Sequence, residues 1–379
     1  NIYFNKGFTE VEAKSGVHNG TYKVYVNFMP IADITYIDKK LYKILMKQSI
    51  KINAINYCPP NFLRMALYVE LSRPKGDITR WEKLLKRLIL LNKNYPLKGV
   101  NCLNQKFMRN YEGSNLDANN IFKIVRKSII NQGLVFFGGY ATSLYGKYMP
   151  KLEQQQVLNI PDFDILSTNA KSSANIIKEQ LMYEGYDNIF INKKPGVSDI
   201  INDHYEILIK YDNKNYDILC FIYDTISCHS YNIVNINGDK LKIATIDTIL
   251  SFYLIFIYLN RPYYDVNRLL CISEYLFKVQ LKNRLEQKGL LKRFTIDCYG
   301  NHKSLEDIRS EKSAIFKVLK SKSPSSNKKH MQEKYFLRYV PNDIFGNKKN
   351  INPTKQKISK LNLKQTKKRK FKRKFKRKF

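Results

Sequence analysis

The chain has 379 residues, enough for two or three domains with hydrophobic cores of their own. Its content of 44% hydrophobic and 13% aromatic residues excludes a chain that is disordered throughout. The formal net charge of +34, from 66 Lys and Arg against 32 Asp and Glu, favours a polyanionic partner, nucleic acid before membrane.

The cysteines and the apolar runs bear on the cellular setting. Six cysteines are scattered without CxxC pairs, which predicts neither a zinc site nor a compact disulfide framework and suits a reducing cytosol. The longest apolar run, residues 249–259, is too short to cross a bilayer and is typical of a buried helix. Because the chain begins at Asn1 rather than Met, we interpret it as a fragment or processed product that lacks an N-terminal part.

A helix-breaking motif occurs twice. The sequence L-S-R-P-K-G-D-I-T-R at residues 71–80 matches L-N-R-P-Y-Y-D-V-N-R at residues 259–268, and each copy follows an apolar helical run. In both copies proline ends one helix, and an aspartate, Asp77 or Asp265, can cap the next. We interpret the pair as an internal repeat whose matched arginines fasten the turn. The alternative is a helix-break-helix that arose twice by chance.

A second similarity lies upstream of the motif. Residues 21–28 (T-Y-K-V-Y-V-N-F) can be set beside residues 215–222 (N-Y-D-I-L-C-F-I), and both segments are predicted strands. Lys23 then occupies the position of Asp217. We therefore predict that the N-terminal part of the chain is a decayed copy of the later module.

Strands and helices alternate from residue 117 onward, as hydrophobic periodicity and turn residues indicate. The predicted helices cover residues 117–133, 172–185, 246–258 and 266–287. The predicted strands cover residues 134–137, 160–167, 205–210 and 215–223, the last two forming a hairpin around residues 212–213. Residues 290–347 have a mixed pattern.

Three aspartates lie on apolar strands. Side chains two positions apart on a strand share a face, so Asp162 and Asp164 converge on one small volume. Two carboxylates that close repel each other unless a cation lies between them, and leaving them unpaired in an apolar frame is costly. Asp217, at the start of another apolar strand, completes what a two-metal site needs. We predict that Asp162, Asp164 and Asp217 bind Mg²⁺ or Mn²⁺.

A glycine pair joins the strand 134–137 to a helix start rich in hydroxyl groups. Glycine lets the backbone approach a phosphate closely, and N–H groups at a helix N-terminus bind phosphate. We predict that Gly138, Gly139 and Ser143 contact the triphosphate of a nucleotide. The alternative is a tight strand-to-helix turn without a ligand.

The end of the chain is strongly basic. Ten of its last thirteen residues are Lys or Arg, with phenylalanine at every fourth position from Phe371. Such a block cannot build a core, so we expect a mobile arm that binds RNA, with the phenylalanines available for base stacking. The alternatives are a nuclear localisation signal or a solvated tail.

The motifs together resemble a known family. The G-G…D-F-D…Y-D-I series resembles the DNA polymerase β-type nucleotidyltransferase superfamily. More narrowly, L-R-M-A-L-Y-V-E-L-S-R-P-K-G-D-I-T-R-W-E-K at residues 63–83, the G-G-Y-A-T-S-L-Y…P-D-F-D-I-L-S series and D-C-Y-G…L-E-D-I-R…F-L-R-Y-V-P resemble the poly(A) polymerase catalytic subunits of giant viruses. The resemblance runs from about residue 20 to residue 345. The gap from Gly139 to Asp162 is longer than usual in the superfamily, so we interpret residues 147–156 as an insertion.

This resemblance implies an architecture. We expect an α/β (α+β) fold of tandem nucleotidyltransferase-like domains, with a mixed β-sheet flanked by helices. The predicted parts are a degenerate domain truncated at its start (1–110), a catalytic domain (111–245), a helical or mixed C-terminal domain (246–347) and a disordered basic tail (348–379). The resemblance also implies a homodimer and a viral setting in the host cytoplasm, at the virus factory, with the virion as a second location.

The function implied is template-independent polyadenylation, in which AMP from ATP is added to the 3′-OH of mRNA by two-metal-ion catalysis and pyrophosphate is released. The predicted partners are therefore ATP and an RNA 3′ end, without a membrane. One alternative is another RNA terminal nucleotidyltransferase, uridylyl- or CCA-adding, which shares the three acids. A second is a non-catalytic RNA-binding scaffold, which the acids argue against because Lys23 shows what an inactive copy would carry.

Overall fold

The computed structural model describes residues 1–16, 20–105, 107, 118–158, 162–197, 200–210, 215–259, 261–321 and 338–339. The chain forms two compact units, of which one comprises Asn1–Thr35 and the end of the chain from Leu319 and the other Tyr36–Val318. Asp117, the predicted turn at residues 212–213 and the predicted basic tail lie outside the described residues.

Helices and strands are numbered in the order in which they occur along the chain. The helices are α1 Ile2–Asn5, α2 Lys39–Gln48, α3 Pro60–Leu71, α4 Trp81–Asn94, α5 Ala118–Asn131, α6 Gly138–Tyr145, α7 Lys151–Val157, α8 Ala170–Tyr183, α9 Ile246–Phe256, α10 Val266–Lys282 and α11 Leu305–Ser321. The strands are β1 Val11–Ser15, β2 Thr21–Val26, β3 Met29–Thr35, β4 Ile50–Ile52, β5 Ile55–Tyr57, β6 Val135–Phe137, β7 Phe163–Ser167, β8 Ile189–Lys194, β9 His204–Lys210, β10 Tyr216–Asp224, β11 His229–Ile236, β12 Asp239–Ala244, β13 Cys298–Tyr299 and β14 Arg338–Tyr339.

The smaller unit is an antiparallel sheet with the strand order β14-β1-β2-β3. Its strand β2, which the sequence matched with β10, has antiparallel neighbours on both sides. In contrast, β10 is parallel to β7 and antiparallel to β9. The arrangement of tandem domains, with residues 1–110 as the degenerate copy, remains a prediction.

The larger unit is built on an eight-stranded mixed sheet with the order β13-β11-β12-β6-β7-β10-β9-β8. The pairs β12–β6 and β7–β10 are parallel, and the other neighbours are antiparallel. Every residue of the central strands β6 and β7 is buried, as expected of apolar strands covered on both faces. Helices α5, α6, α8 and α9 pack against the sheet. A mixed sheet flanked by helices confirms the predicted fold class.

The helices follow the sequence signals closely. Every residue of α9 is buried, as predicted for the apolar run, and this helix packs against α3 and α10. The side chain of Asn169 accepts a hydrogen bond from Ser172 N, so α8 begins slightly before the predicted start. The segment interpreted as an insertion contains α7, whose Val157 is buried. No described helix has the length and apolar character needed to cross a membrane.

Four cysteines form disulfides, Cys102–Cys271 and Cys228–Cys298. The prediction that the cysteines form no disulfide framework is therefore wrong. The partners are separated by 169 and 70 residues of chain, so no local spacing could indicate the pairs. Tertiary structure alone brings these thiols together.

Candidate active site

The strand-to-helix junction at the glycine pair is held against β7. Phe137 at the end of β6 lies opposite Asp164 in the antiparallel register, which places the following residue beside that carboxylate. Gly138 has a positive φ of 65°, and a Cβ built there would lie 1.9 Å from Oδ2 of Asp164. Gly139 N donates a hydrogen bond to the same oxygen over 3.3 Å. Only glycine combines this left-handed conformation with so close an approach.

Two predicted carboxylates share a cleft with this junction. Asp164 lies on β7 and Asp162 directly precedes the strand, and both are more than nine-tenths buried. The described lining of the cleft includes Gly139, Asp162, Asp164, Tyr253, Tyr264 and Arg268. Carboxylate oxygens are the ligands that Mg²⁺ and Mn²⁺ prefer, so the chemistry of this donor pair fits a divalent cation. The structure thus brings together three of the six predicted site residues in one place.

The third predicted acid lies elsewhere on the sheet. Asp217 is 6% exposed near the start of β10, and its strand runs beside β7 with Phe221 opposite Asp164. Asp217 is not among the described residues that line the cleft. Within the described part of the chain, no three His, Cys, Asp or Glu side chains form a cluster that could hold a metal ion. A site of three acids therefore remains a prediction.

The hydroxyl groups at the start of α6 are engaged within the protein. Ser143 Oγ donates to Tyr140 O over 2.7 Å, and Ser143 is not part of the described lining of the cleft. Thr142 Oγ1 donates to Gly138 O over 2.7 Å and lies 2.8 Å from the Tyr253 hydroxyl. The contact of Ser143 with a triphosphate remains a prediction, while Thr142 ties the glycine turn to α9.

The far wall of the cleft supplies residues that the sequence did not reveal as site residues. Arg268, in the first turn of α10, donates through Nη2 to Tyr263 O over 2.7 Å, which fastens the turn as predicted, and it also lines the cleft. Burial, and after it the negative charge of Asp164, raises the pKa of Tyr253 far above its ordinary value, so this phenol stays protonated. The repeat motif marked Arg268, but its position opposite Asp164 depends on how α10 packs.

Comparison with known proteins begins with the fold. The chain superposes on the crystal structure of the Megavirus polyadenylate synthase with a TM-score of 0.69 and 20% identity, covering 97% of this chain and 70% of the other. The chain therefore has the fold of that viral enzyme. Residues 1–77 match the family model described as poly(A) polymerase catalytic subunit.

A protein of Acanthamoeba polyphaga mimivirus, described as "Putative poly(A) polymerase catalytic subunit", is 24% identical over 348 residues. That match covers 79% of this chain but 57% of the mimivirus protein, so the chain spans little more than half the length of this relative. The protein is thus a relative of the giant-virus poly(A) polymerase catalytic subunits, and the resemblance predicted from its motifs is confirmed.

Proposed function

We propose that this protein is a template-independent poly(A) polymerase, which transfers AMP from ATP to the 3′-OH of RNA and releases pyrophosphate. The observation that carries the proposal is the packing of Gly138 directly against Asp164, which places buried carboxylates beside a helix N-terminus in one cleft. The matched family and the shared fold support the same reaction.

The acids would hold Mg²⁺ or Mn²⁺, with Asp162 and Asp164 as the principal ligands and Asp217 as the third. Bound there, the cation supplies Lewis-acid chemistry that favours deprotonation of the 3′-OH and offsets charge on the triphosphate. The N-terminus of α6, beginning at Gly138, contributes partial positive charge to the same cleft. Arg268 on the opposite wall contributes a full positive charge that attracts the triphosphate.

The proposal extends to the partners. The excess of Lys and Arg favours RNA that follows a basic surface through its phosphates, so binding should weaken steeply as salt rises. The viral relatives support a homodimer that acts at the virus factory in the host cytoplasm.

The direct test incubates the protein with a 3′-OH RNA primer, Mg²⁺ and each nucleoside triphosphate separately. We expect long tails from ATP alone, and no extension by the Asp162→Ala/Asp164→Ala variant. Asp187→Ala, which removes an exposed carboxylate, is the matched control and should retain activity. Asp217→Ala tests the third acid and should remove activity without unfolding the protein.

Other outcomes would change the assignment. Extension by UTP or CTP instead of ATP would keep the site but replace the substrate with that of a uridylyl- or CCA-adding enzyme. RNA binding without extension by any nucleotide would favour the scaffold. Full activity in Asp217→Ala would remove that residue from the site.

A further inference from the structure

The helix-breaking motif at residues 71–80 contains a guanidinium that the cleft does not use. Nε of Arg73 is buried without a hydrogen-bond partner. Among the described residues this side chain makes no ion pair. Burial lowers the pKa of Arg73 to about 10, so the group remains charged at neutral pH. A buried cation without an acceptor is costly, which indicates that its natural partner is an external anion.

Neighbouring strands hold this segment against two histidines. Ser230 N donates to Ser72 O over 2.8 Å, which places Arg73 beside the start of β11. A Cβ built at Gly76 would lie 3.8 Å from Cε1 of His302, so that ring lies against the same loop. Ser227 Oγ is 2.9 Å from Nδ1 of His302 and fixes the plane of the ring. Arg73, Lys75 and His302 therefore face one small surface region.

Little negative charge opposes these groups. Burial, with the charge of Arg73, lowers the pKa of His229 to about 3, so this neighbour is a neutral imidazole and not a counter-ion. Glu70, the carboxylate whose charge is felt by Arg73, forms an ion pair with Arg80 over 3.2 Å. The Asp77 carboxylate accepts a hydrogen bond from the Thr79 hydroxyl. The cluster thus has a net positive charge.

We propose that Arg73, Lys75 and His302 form a binding site for a backbone phosphate of the RNA substrate. The guanidinium fork matches two phosphate oxygens, and the exposed Lys75 ammonium adds a point charge. When Ser227 donates to Nδ1, Nε2 of His302 carries a hydrogen that it donates to the same phosphate.

The site is separate from the one that binds ATP, because none of these three residues is among the described lining of the cleft. The net charge of +34 favours a polymer with many phosphates over a small anion. The choice of RNA rests on the proposed function, whereas the phosphate chemistry rests on the cluster alone.

The test measures binding of fluorescent oligoadenylate by anisotropy, without ATP, from about 50 to 200 mM salt. The Arg73→Gln/Lys75→Gln variant should bind more weakly, and the slope of log K against log salt should become shallower by about 0.7 for each phosphate that is no longer neutralised. Lys171→Gln/Lys282→Gln, which removes two charges from exposed helical lysines, should keep the wild-type slope. Lys75→Gln alone alters only an exposed side chain and should reproduce part of the effect in a folded protein.

Three further results discriminate. An unchanged slope in both Arg73→Gln/Lys75→Gln and Lys75→Gln would overturn the site. Thermal stabilisation of wild type but not the double variant by inorganic phosphate, with equal RNA slopes, would also overturn it, by assigning a small anion. AMP incorporation by the wild type, measured in parallel, separates the two proposals: a shallower slope without incorporation keeps this site and removes the polymerase.

Discussion

At the scale of single residues, the glycine pair and the carboxylate are parts of one device. Phe137 and Asp164 are opposite each other on adjacent strands, and a side chain on Gly138 would occupy the space of the Asp164 carboxylate. Gly139 N holds that carboxylate by a hydrogen bond. The first glycine is therefore required by an acid 26 positions later in the sequence as well as by the turn itself.

We predict that Gly138→Ala abolishes most activity, by about 100-fold or more, because displacing a catalytic group by about 1 Å is enough for such a loss. Gly185→Ala is the matched control, since Gly185 has a φ of 92° but no atom within 4 Å of the added Cβ. The control should lose about 1 kcal/mol of stability and retain activity. AMP incorporation and thermal unfolding of both variants give the answer, and equal activity would contradict the role of the contact.

At the scale of elements, the two helix-breaking motifs behave differently. Asp265 caps α10, accepting a hydrogen bond from Arg268 N over 2.6 Å, as predicted. The predicted cap at Asp77 is wrong, because its side chain makes no capping bond and a 3₁₀ turn, Ile78–Arg80, precedes α4. The capped helix is the one that brings an arginine into the cleft.

Arg268→Gln is expected to raise the KM for ATP by about 10-fold, since one charge-assisted hydrogen bond contributes about 1.5 kcal/mol. The kcat should change less, because the acids remain in place. Arg284→Gln removes an equal charge from an exposed position just after α10 and serves as the control. Steady-state AMP incorporation measures both constants. A KM like that of the control would show that Arg268 only fastens the turn.

At the scale of the whole molecule, folding buries groups that water would otherwise protonate. His229 is 2% exposed and packs at a tilt against the Phe252 ring, with neither ring nitrogen hydrogen-bonded. The pKa of His229, lowered to about 3 by burial and by Arg73, lies below its ordinary value of 6.5. Between these values the unfolded chain binds a proton that the folded chain excludes, so the free energy of unfolding falls as the pH falls from about 6.5 toward 3.

His229→Leu should therefore make the protein less sensitive to acid. The histidine contributes at most about 1.4 kcal/mol per pH unit to the slope, and the leucine contributes none. We expect similar urea midpoints for both proteins at about pH 8 and a higher midpoint for the variant at about pH 5. Urea unfolding followed by circular dichroism checks this, and parallel pH profiles would show that His229 is protonated in the folded state.

Local patterns account for much of the fold. The apolar run that forms α9, the Asp265 cap of α10 and the β9–β10 hairpin all depend on neighbours close in sequence, which is why periodicity and turn residues predicted them. The spacing of Asp162 and Asp164 likewise placed both carboxylates in one cleft, since residues two apart on an extended chain share a face.

Contacts between distant segments were decided by tertiary packing. The pairing of Cys102 with Cys271, the approach of Arg268 to Asp164 and the placement of Asp217 outside the described cleft lining each join parts of the chain far apart in sequence. No local propensity encodes such contacts, because they follow from the order of strands in the sheet and from the surfaces that helices bury together. The sequence by itself determined the elements and the chemistry they carry, and the packing of those elements decided which side chains share a site.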